Sequence, residues 1–234
     1  MKSVYGHKIA ALLIAITCIF YGDVKAVDNA YYNSGASTVR PGRFFIAPQV
    51  EIYAAGSGGE VTTQSTTPSI VPKENMVFNP KVGAGVSIGY DSKMMRNEFG
   101  YSTAFEYLYR PNDSSWAYQN VATGQTGTLT IENSNFFMTK ALGRYRFDTF
   151  IPYFGAGAGM GLFNFKGDAG IPSNTYFQPV VEGIVGVEYA VSSQISFFTE
   201  YKYLTTVSDM DVGGGLTLHP FGSHIMTMGM KYGF

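Results

Sequence analysis

Eight segments of this chain alternate between large apolar residues and small or polar residues with a period of two. The last segment, residues 224–234, shows the pattern clearly because one parity carries Met226, Met228, Met230, Tyr232 and Phe234. This period is that of a β-strand with one face in an apolar medium. The sequence therefore predicts an all-β fold, and the rest of the pattern indicates whether that medium is a protein core or a lipid bilayer.

The connections between the alternating segments differ in length in a regular order. We predict strands at 43–54, 80–90, 96–109, 134–147, 152–165, 177–189, 195–207 and 224–234. The first connection, 55–79, is long and the second, 91–95, is tight; this alternation continues, with 111–133 as another long loop. Short turns at one end, longer loops at the other and an even strand number are typical of outer-membrane barrels. No stretch after residue 26 is apolar over the roughly 18 residues that a transmembrane helix needs, so a membrane form would be a closed barrel.

The two faces of the predicted strands indicate which medium is apolar. One face carries most of the large apolar residues, with Tyr and Phe near the strand ends, as in the aromatic girdles of membrane barrels. The other face is small or charged, and it would make an unusually Lys-poor, Gly-rich surface for a soluble sandwich. The sequence thus predicts an eight-stranded antiparallel up-and-down transmembrane β-barrel over 43–234, with strand eight paired to strand one and both termini periplasmic.

The charged residues of the predicted strands share the parity that faces the barrel interior. The predicted lumen charges are Glu51, Glu98, Glu106, Lys140, Arg144, Arg146, Glu182, Glu188, Glu200, Lys202 and Lys231. They have two interpretations, the selectivity lining of a narrow pore and a salt-bridged plug that stabilises the barrel. An eight-stranded barrel is only just wide enough for its side chains to fill it, which favours the plug.

The N-terminal segment has the features of a cleavable signal peptide. Lys2 and Lys8 precede an apolar run over 9–21, and Ala26 is a small residue where a signal peptidase would cut. We predict a signal peptide at 1–26 and a polar lead-in at 27–42. A lipoprotein interpretation based on Cys18 is weakened by Thr17, where a smaller residue is usual.

Three stretches resemble small eight-stranded outer-membrane barrels. They are "IPYFGAGAGMGLF" at 151–163, "QPVVEGIVGVEYAVSSQISFFTEYKYL" at 178–204, and the C-terminal end with Thr227, Gly229, Tyr232 and Phe234. The first two are similar to strands of the opacity/OmpA-like porin family, which includes surface antigens of rickettsia-like bacteria. Gly229, Tyr232 and Phe234 are similar to the signal that barrel-assembly machinery reads. The resemblance covers 43–234 and implies the bacterial outer membrane as location, with membrane lipid and that machinery as partners.

Enzymatic and ligand-binding alternatives find little support in the sequence. The stretch "GAGAGMG" lacks the Lys-Ser/Thr of a phosphate-binding loop, and no helix pattern follows it. Ser223 and His224 with Asp209 or Asp211 suggest a hydrolytic constellation or, for the aspartates, calcium, but no full oxygen-ligand loop is present. No zinc spacing and no Lys/Arg run occur, so we expect no metal, no cofactor, no nucleic acid and no enzymatic activity.

The long connections are the predicted contact surfaces. Trp116 and Tyr118 in 111–133 are candidate exposed aromatic anchors, with packing against the barrel rim as the alternative, and 61–72 is rich in Thr, Ser and Pro. The resemblance implies a role as adhesin, anchor, small pore or antigen. We expect a non-enzymatic surface barrel that supports the envelope and contacts a host or environmental ligand, with a narrow porin-like pore as the alternative and a lipid-modifying enzyme as the third.

Overall fold

A computed structural model describes residues 39–58, 61–63, 70–72, 77–78, 81–120, 124–168, 173–213 and 216–234. The predicted signal peptide and most of the lead-in lie outside these residues. Eight long strands occur among them: β1 Arg43–Gly58, β2 Lys81–Asp91, β3 Phe99–Asn120, β4 Thr126–Tyr145, β5 Phe150–Lys166, β6 Asn174–Ala190, β7 Ile195–Thr206 and β8 Phe221–Gly233. In the described part of the chain, no helix is long and apolar enough to cross a membrane.

The eight strands form a closed antiparallel barrel. Each strand pairs with the next along the chain, and β8 pairs with β1 in a register that places Met226 opposite Ile52 and Tyr232 opposite Ile46. Closure pairs the backbone groups of what would otherwise be two edge strands, which a bilayer core requires. The predicted eight-stranded up-and-down barrel is therefore confirmed.

The outer surface of the barrel is apolar, as the strand alternation predicts. Large side chains that point away from the interior and are more than one third exposed include Phe44, Val82, Phe99, Phe154, Phe177, Val185 and Met228. A continuous belt of this kind would be unfavourable in water, and it is the surface that lipid chains cover in a membrane barrel. The apolar parity of the strands thus faces outward and the polar parity faces the interior.

Tight turns join the strands at one end of the barrel, which we call the turn end. They are 92–98, 146–149 and 191–194, and Asn97 and Asp148 adopt φ angles of 57° within them. Asn and Asp tolerate this left-handed conformation better than most residues. The short strand Val39–Arg40 pairs with Met94–Met95 at the same end. Part of the lead-in therefore lies across the mouth of the barrel.

The opposite end, here the outer end, contains more β-structure than the sequence predicts. β3 continues to Asn120 and β4 begins at Thr126, with pairs from Ser114–Ile131 to Gln119–Thr126. The prediction of a long loop at 111–133 is wrong, because most of that segment extends the hairpin beyond a register shift between Pro111 and Ser114. The segment has the composition of a loop, because it is rich in Ser and Thr and few of its residues are apolar.

Short strands from the neighbouring connections pack around this extended hairpin. Ile70–Pro72 and Val77–Phe78 pair with β3, while Val61–Thr63, Met210–Gly213 and Leu216–Leu218 form a separate three-stranded sheet. We call these five short strands, together with 114–120 and 126–131, the outer cap. Parts of the Thr-, Ser- and Pro-rich stretch 61–72 are thus strands, and its residues 64–69 lie outside the described residues.

Candidate functional site

The interior of the barrel contains two groups of buried ionisable side chains. The basal cluster, near the turn end, consists of Arg40, Arg43, Asp91, Arg144, Glu188 and Lys231. The central cluster consists of Glu51, Glu106, Arg110, Lys140, Glu200 and Lys202. Each of these twelve residues is at most 7% exposed. Burial of charge at this density is tolerated only where the charges are paired and hydrogen-bonded.

Lys202 is the centre of the central cluster. Its Nζ lies 2.6 Å from Glu106 Oε1, 3.0 Å from Glu200 Oε1 and 3.5 Å from Glu51 Oε1. The second ammonium, Lys140, bonds the other oxygen of Glu106 and lies 3.5 Å from Glu200. Lys140 on β4 and Lys202 on β7 therefore share the carboxylates of Glu106 and Glu200, which ties β3, β4 and β7 together through the lumen. The contact of Lys202 with Glu51 adds β1.

Hydroxyl groups and one guanidinium complete the contacts of these carboxylates. Ser87 Oγ donates to Glu106 over 2.9 Å, Tyr153 OH donates to Glu200 over 3.0 Å and Thr227 Oγ1 donates to Glu51 over 3.3 Å. Arg110 Nε donates to Glu51 over 3.2 Å, and its guanidinium lies 4.6 Å from the centre of the Phe136 ring. On the side of the outer end, the central cluster therefore borders the aromatic ring of Phe136.

Arg144 organises the basal cluster. Its NH1 lies 2.7 Å from Asp91 Oδ1 and its NH2 donates to Glu188 Oε2 over 2.5 Å. Lys231 contacts the same two acids at 3.2 and 2.9 Å, and Arg40 reaches Glu188 at 2.7 Å. Arg40 comes from the lead-in, so the segment that crosses the mouth places a cation inside the barrel.

Apolar side chains fill the rest of the interior. Two small apolar clusters line the inner surface of the barrel wall. One consists of Phe45, Ala47, Ala104 and Phe198, and the other includes Leu142 and Ile184. The outer apolar cluster fills the outer half with Tyr53, Leu108, Tyr118, Leu129, Ile131, Phe136, Met138, Phe163, Phe165, Val180, Leu204, Met210, Val212, Leu216, Leu218, Phe221 and Ile225. This cluster was not predicted from the sequence, although Leu108 and Met138 share the parity of the charged residues Glu106 and Lys140.

Eight of the eleven predicted lumen charges lie in the two clusters, and three do not. Glu182 is buried in the interior, but its carboxylate oxygens have no hydrogen-bond partner among the described residues. Arg146 lies at the rim and donates to the backbone carbonyls of Asp148 and Met94. Glu98 is not a lumen residue: it precedes β3 in a turn and accepts a hydrogen bond from Met95 N over 2.6 Å.

Four members of the clusters were not predicted from the sequence. They are Arg40, Arg43, Asp91 and Arg110. Arg43, Asp91 and Arg110 have the lumen parity of their strands but lie at predicted strand ends or in predicted loops. Arg40 lies in the lead-in, where no alternation was visible.

The two candidate aromatic anchors are strand residues. Tyr118 is buried in the outer apolar cluster, so of the two alternatives this residue packs inside the molecule and is not an exposed anchor. Its OH donates to Asp168 Oδ1 over 3.2 Å, and Thr128 N donates to the same oxygen over 2.6 Å. Trp116 lies in the same strand, where its backbone is opposite Leu129.

Histidine contacts differ from those of the suggested hydrolytic constellation. His224 faces outward with Nδ1 2.6 Å from Tyr201 OH. Asp209 instead lies 2.8 Å from Nδ1 of His219, whose Nε2 is 2.9 Å from Thr62 Oγ1. This order of groups occurs in hydrolytic triads, but Asp209 is 57% exposed, whereas the carboxylate of a triad is buried. Within the described residues, no group of three or more His, Cys, Asp or Glu side chains is arranged to hold a metal ion.

Of the residues that resemble an assembly signal, Gly229 and Tyr232 lie on β8 and Phe234 directly follows it. Gly229 faces the Phe198 ring and the carbonyl of Pro48, so a larger side chain would not fit there. Tyr232 is opposite Ile46 and Ile195, and Phe234 is exposed with its N–H bonded to Phe44 O at 2.9 Å.

Comparisons with known proteins find similar structures at low sequence identity. No protein-family model matches the chain, and no curated protein matches its sequence significantly. Neisserial surface protein A is 14% identical with a TM-score of 0.45, and the match covers 82% of this chain and 97% of that chain. Ail of Yersinia pestis is 13% identical with a TM-score of 0.41, at coverages of 82% and 97%. OprG of Pseudomonas aeruginosa is 13% identical with a TM-score of 0.46, at coverages of 83% and 97%.

Identities this low say nothing about a shared activity. The assignment therefore rests on features of the chain itself: eight strands, closure of β8 on β1 and an apolar exterior. By these features the chain is a small eight-stranded membrane barrel, similar to those of the outer membrane.

Proposed function

We propose that this protein is a non-enzymatic surface barrel of the bacterial outer membrane, which supports the envelope and contacts a host or environmental partner through the outer cap. The observation that carries the proposal is the difference between the interior of the barrel and its outer end. Its interior is filled along the axis, whereas the additional β-structure is concentrated at the outer end. An interior built for packing and an outer end built as a defined surface favour contact over transport.

The filled interior argues against the alternative of a narrow pore. Two cavities inside the described barrel have volumes of about 20 and 10 Å³, enough for one water-sized particle each. The ion pairs of Lys202 fill the lumen beside these cavities, and the second cavity is itself lined by Tyr53, Phe136, Phe163, Leu204 and Phe221 of the outer apolar cluster. A hydrated ion would have to displace both, which supports the plug interpretation of the charges.

Hydrogen bonds join separate segments of the outer cap, which favours recognition. Asp168 fixes the extended hairpin through Tyr118 and Thr128, and His219 links the first connection to the last through Thr62 and Asp209. A surface that is already ordered loses less conformational entropy when it binds. The outward positions of the hairpin over 114–120 and 126–131 include six uncharged residues, Ser115, Ala117, Gln119, Thr126, Thr128 and Thr130.

We expect the purified, folded mature chain to be electrically silent in a planar lipid bilayer. The variant Lys140→Ala/Arg144→Ala should also be silent, because the outer apolar cluster still blocks the outer half of the lumen. The measurement is single-channel recording on protein whose folding is verified by its heat-dependent shift in gel mobility. Steady conductance whose ion selectivity changes in the variant would instead establish the pore.

We expect bacteria that display this protein to bind epithelial cell layers or immobilised matrix proteins more strongly than bacteria that lack it. The variant Gln119→Glu/Thr126→Glu introduces two charges at a cross-strand pair on the outward side of the cap. If this side is the contact surface, the variant should weaken binding roughly tenfold, the effect of losing one moderate contact.

The matched control adds two charges at the opposite end of the barrel. Val191→Glu/Gln194→Glu changes two exposed positions of a tight turn and should bind as the unchanged protein does. Binding that does not depend on the protein, or that falls equally in both variants, would refute a contact role for the outer cap.

A further inference from the structure

The described interior contains more positive than negative side chains. Seven cations, Arg40, Arg43, Arg110, Lys140, Arg144, Lys202 and Lys231, face six carboxylates, Glu51, Asp91, Glu106, Glu182, Glu188 and Glu200. The net charge of these side chains is therefore at least +1. Arg146 at the rim would add one more positive charge, and protonation of Glu182 would remove one negative charge. The excess positive charge is located in the basal cluster, where four cations surround Asp91 and Glu188.

A small cavity lies between the basal and central clusters. Its polar lining consists of Ser87, Lys140, Arg144, Tyr153, Glu200 and Lys231. Its volume of about 20 Å³ exceeds the roughly 10–15 Å³ that one water requires. The cavity therefore has room for one water or one monatomic ion, but not for phosphate or sulfate.

The cavity is lined by cationic donors that have N–H groups to spare. The Nε of buried Arg144 has no hydrogen-bond acceptor among the described residues. Lys231 directs its ammonium at Asp91 and Glu188, and Lys140 directs its ammonium at two further carboxylates. Because an ammonium has three hydrogens, Lys140 retains one donor beyond its two pairs, whereas the Lys231 ammonium also lies 4.2 Å from the centre of the Phe45 ring.

The other polar groups of the lining are already engaged. Ser87 and Tyr153 donate their single hydroxyl hydrogens to Glu106 and Glu200. Glu200 itself also lines the cavity, and its negative charge is balanced by Lys140 and Lys202. The remaining donors require an acceptor, which a water molecule or an anion can supply.

We propose that this cavity binds one monatomic anion, with chloride as the occupant in the cell. A water molecule would accept the same hydrogen bonds but would leave a buried positive charge uncompensated, at a cost of several kcal/mol. A halide accepts from Arg144 and Lys140, lies beside the positive charge of Lys231 and neutralises the excess. The anion thus completes the charge plug and is a structural ligand of the folded barrel.

Bromide is the probe for this site because it scatters anomalously and has the charge of chloride. Crystals of the folded mature chain grown in sodium bromide should show an anomalous peak in the cavity beside Arg144. In solution, replacement of gluconate by chloride at constant ionic strength should raise the ratio of folded to unfolded protein. The increase is about hundredfold when the halide exceeds its Kd a hundredfold.

Two variants separate this site from general salt effects. Ala47→Val adds two methyl groups to a residue that lines the cavity and should abolish both the anomalous peak and the chloride dependence. Ala104→Val makes the same change in the same apolar cluster outside the cavity and should keep both. The proposal is overturned if the cavity shows no bromide peak, if chloride and gluconate give equal stability, or if the chloride effect survives in Ala47→Val.

Discussion

Substitution of Lys202 by methionine should lower the free energy of unfolding by about 3–5 kcal/mol, the usual cost of removing one partner from a buried ion pair. Lys202 is fully buried and lies within 3.5 Å of Glu51, Glu106 and Glu200. Without it, Lys140 and Arg110 are the remaining cations of the central cluster. The measurement is equilibrium unfolding in denaturant of the barrel inserted in vesicles of fixed lipid composition.

Lys166→Met is the matched control for this prediction. Lys166 forms a pair with Glu132 at 3.4 Å, but the two side chains are 68% and 52% exposed. Exposed pairs contribute little because water and salt screen them, so this variant should cost less than about 1 kcal/mol. Equal effects of the two lysine variants would mean that the charges of the lumen do not stabilise the barrel.

A double variant tests whether charge imbalance is the cause of the loss. Lys202→Met/Glu106→Gln removes one cation and one carboxylate together, and it should recover part of the stability lost in the single variant. The reason is that the cost of a broken buried pair is largely that of the charge left behind.

The sequence predicts the side of the barrel wall on which Lys202 lies, but not its partners. Alternation with a period of two assigns Glu200 and Lys202 to the interior without any knowledge of the fold. The distances among Lys202, Glu106 and Glu51 depend on the stagger between β7, β3 and β1. That stagger is set by barrel closure, which joins residues far apart in the chain and leaves no signal in one strand alone.

The outer half of the molecule could be predicted least. Phe136 and Phe163 have the interior parity, yet they belong to a cluster that is completed by residues of the outer cap such as Leu216 and Leu218. The cap strands are two to four residues long, too short for a periodic pattern. Tyr118 is an example: in a hairpin of mostly polar residues, a buried aromatic residue cannot be distinguished by its sequence from an exposed one.

Substitution of Gly159 by alanine should destabilise the barrel by about 1–3 kcal/mol, the typical cost of overpacking. A Cβ added at Gly159 would overlap the backbone carbonyl oxygen of Phe137 and would lie 2.8 Å from the Cα and Sδ atoms of Met138. Because two of these atoms belong to the backbone of β4, a side-chain rotation cannot relieve the contact. The loss should appear as a lower denaturant midpoint and a smaller refolded fraction.

Gly183→Ala separates close packing from the general effect of replacing a strand glycine. No heavy atom lies within 4 Å of a Cβ added at Gly183, which is exposed on the neighbouring strand β6. This variant should keep its stability or gain up to about 1 kcal/mol, since alanine restricts the unfolded chain. The two variants make the same chemical change on adjacent strands, so a difference between them measures the approach of β5 to β4. If both are tolerated equally, the glycines of β5 are not required by packing, and the wall of this barrel is more adaptable than its geometry indicates.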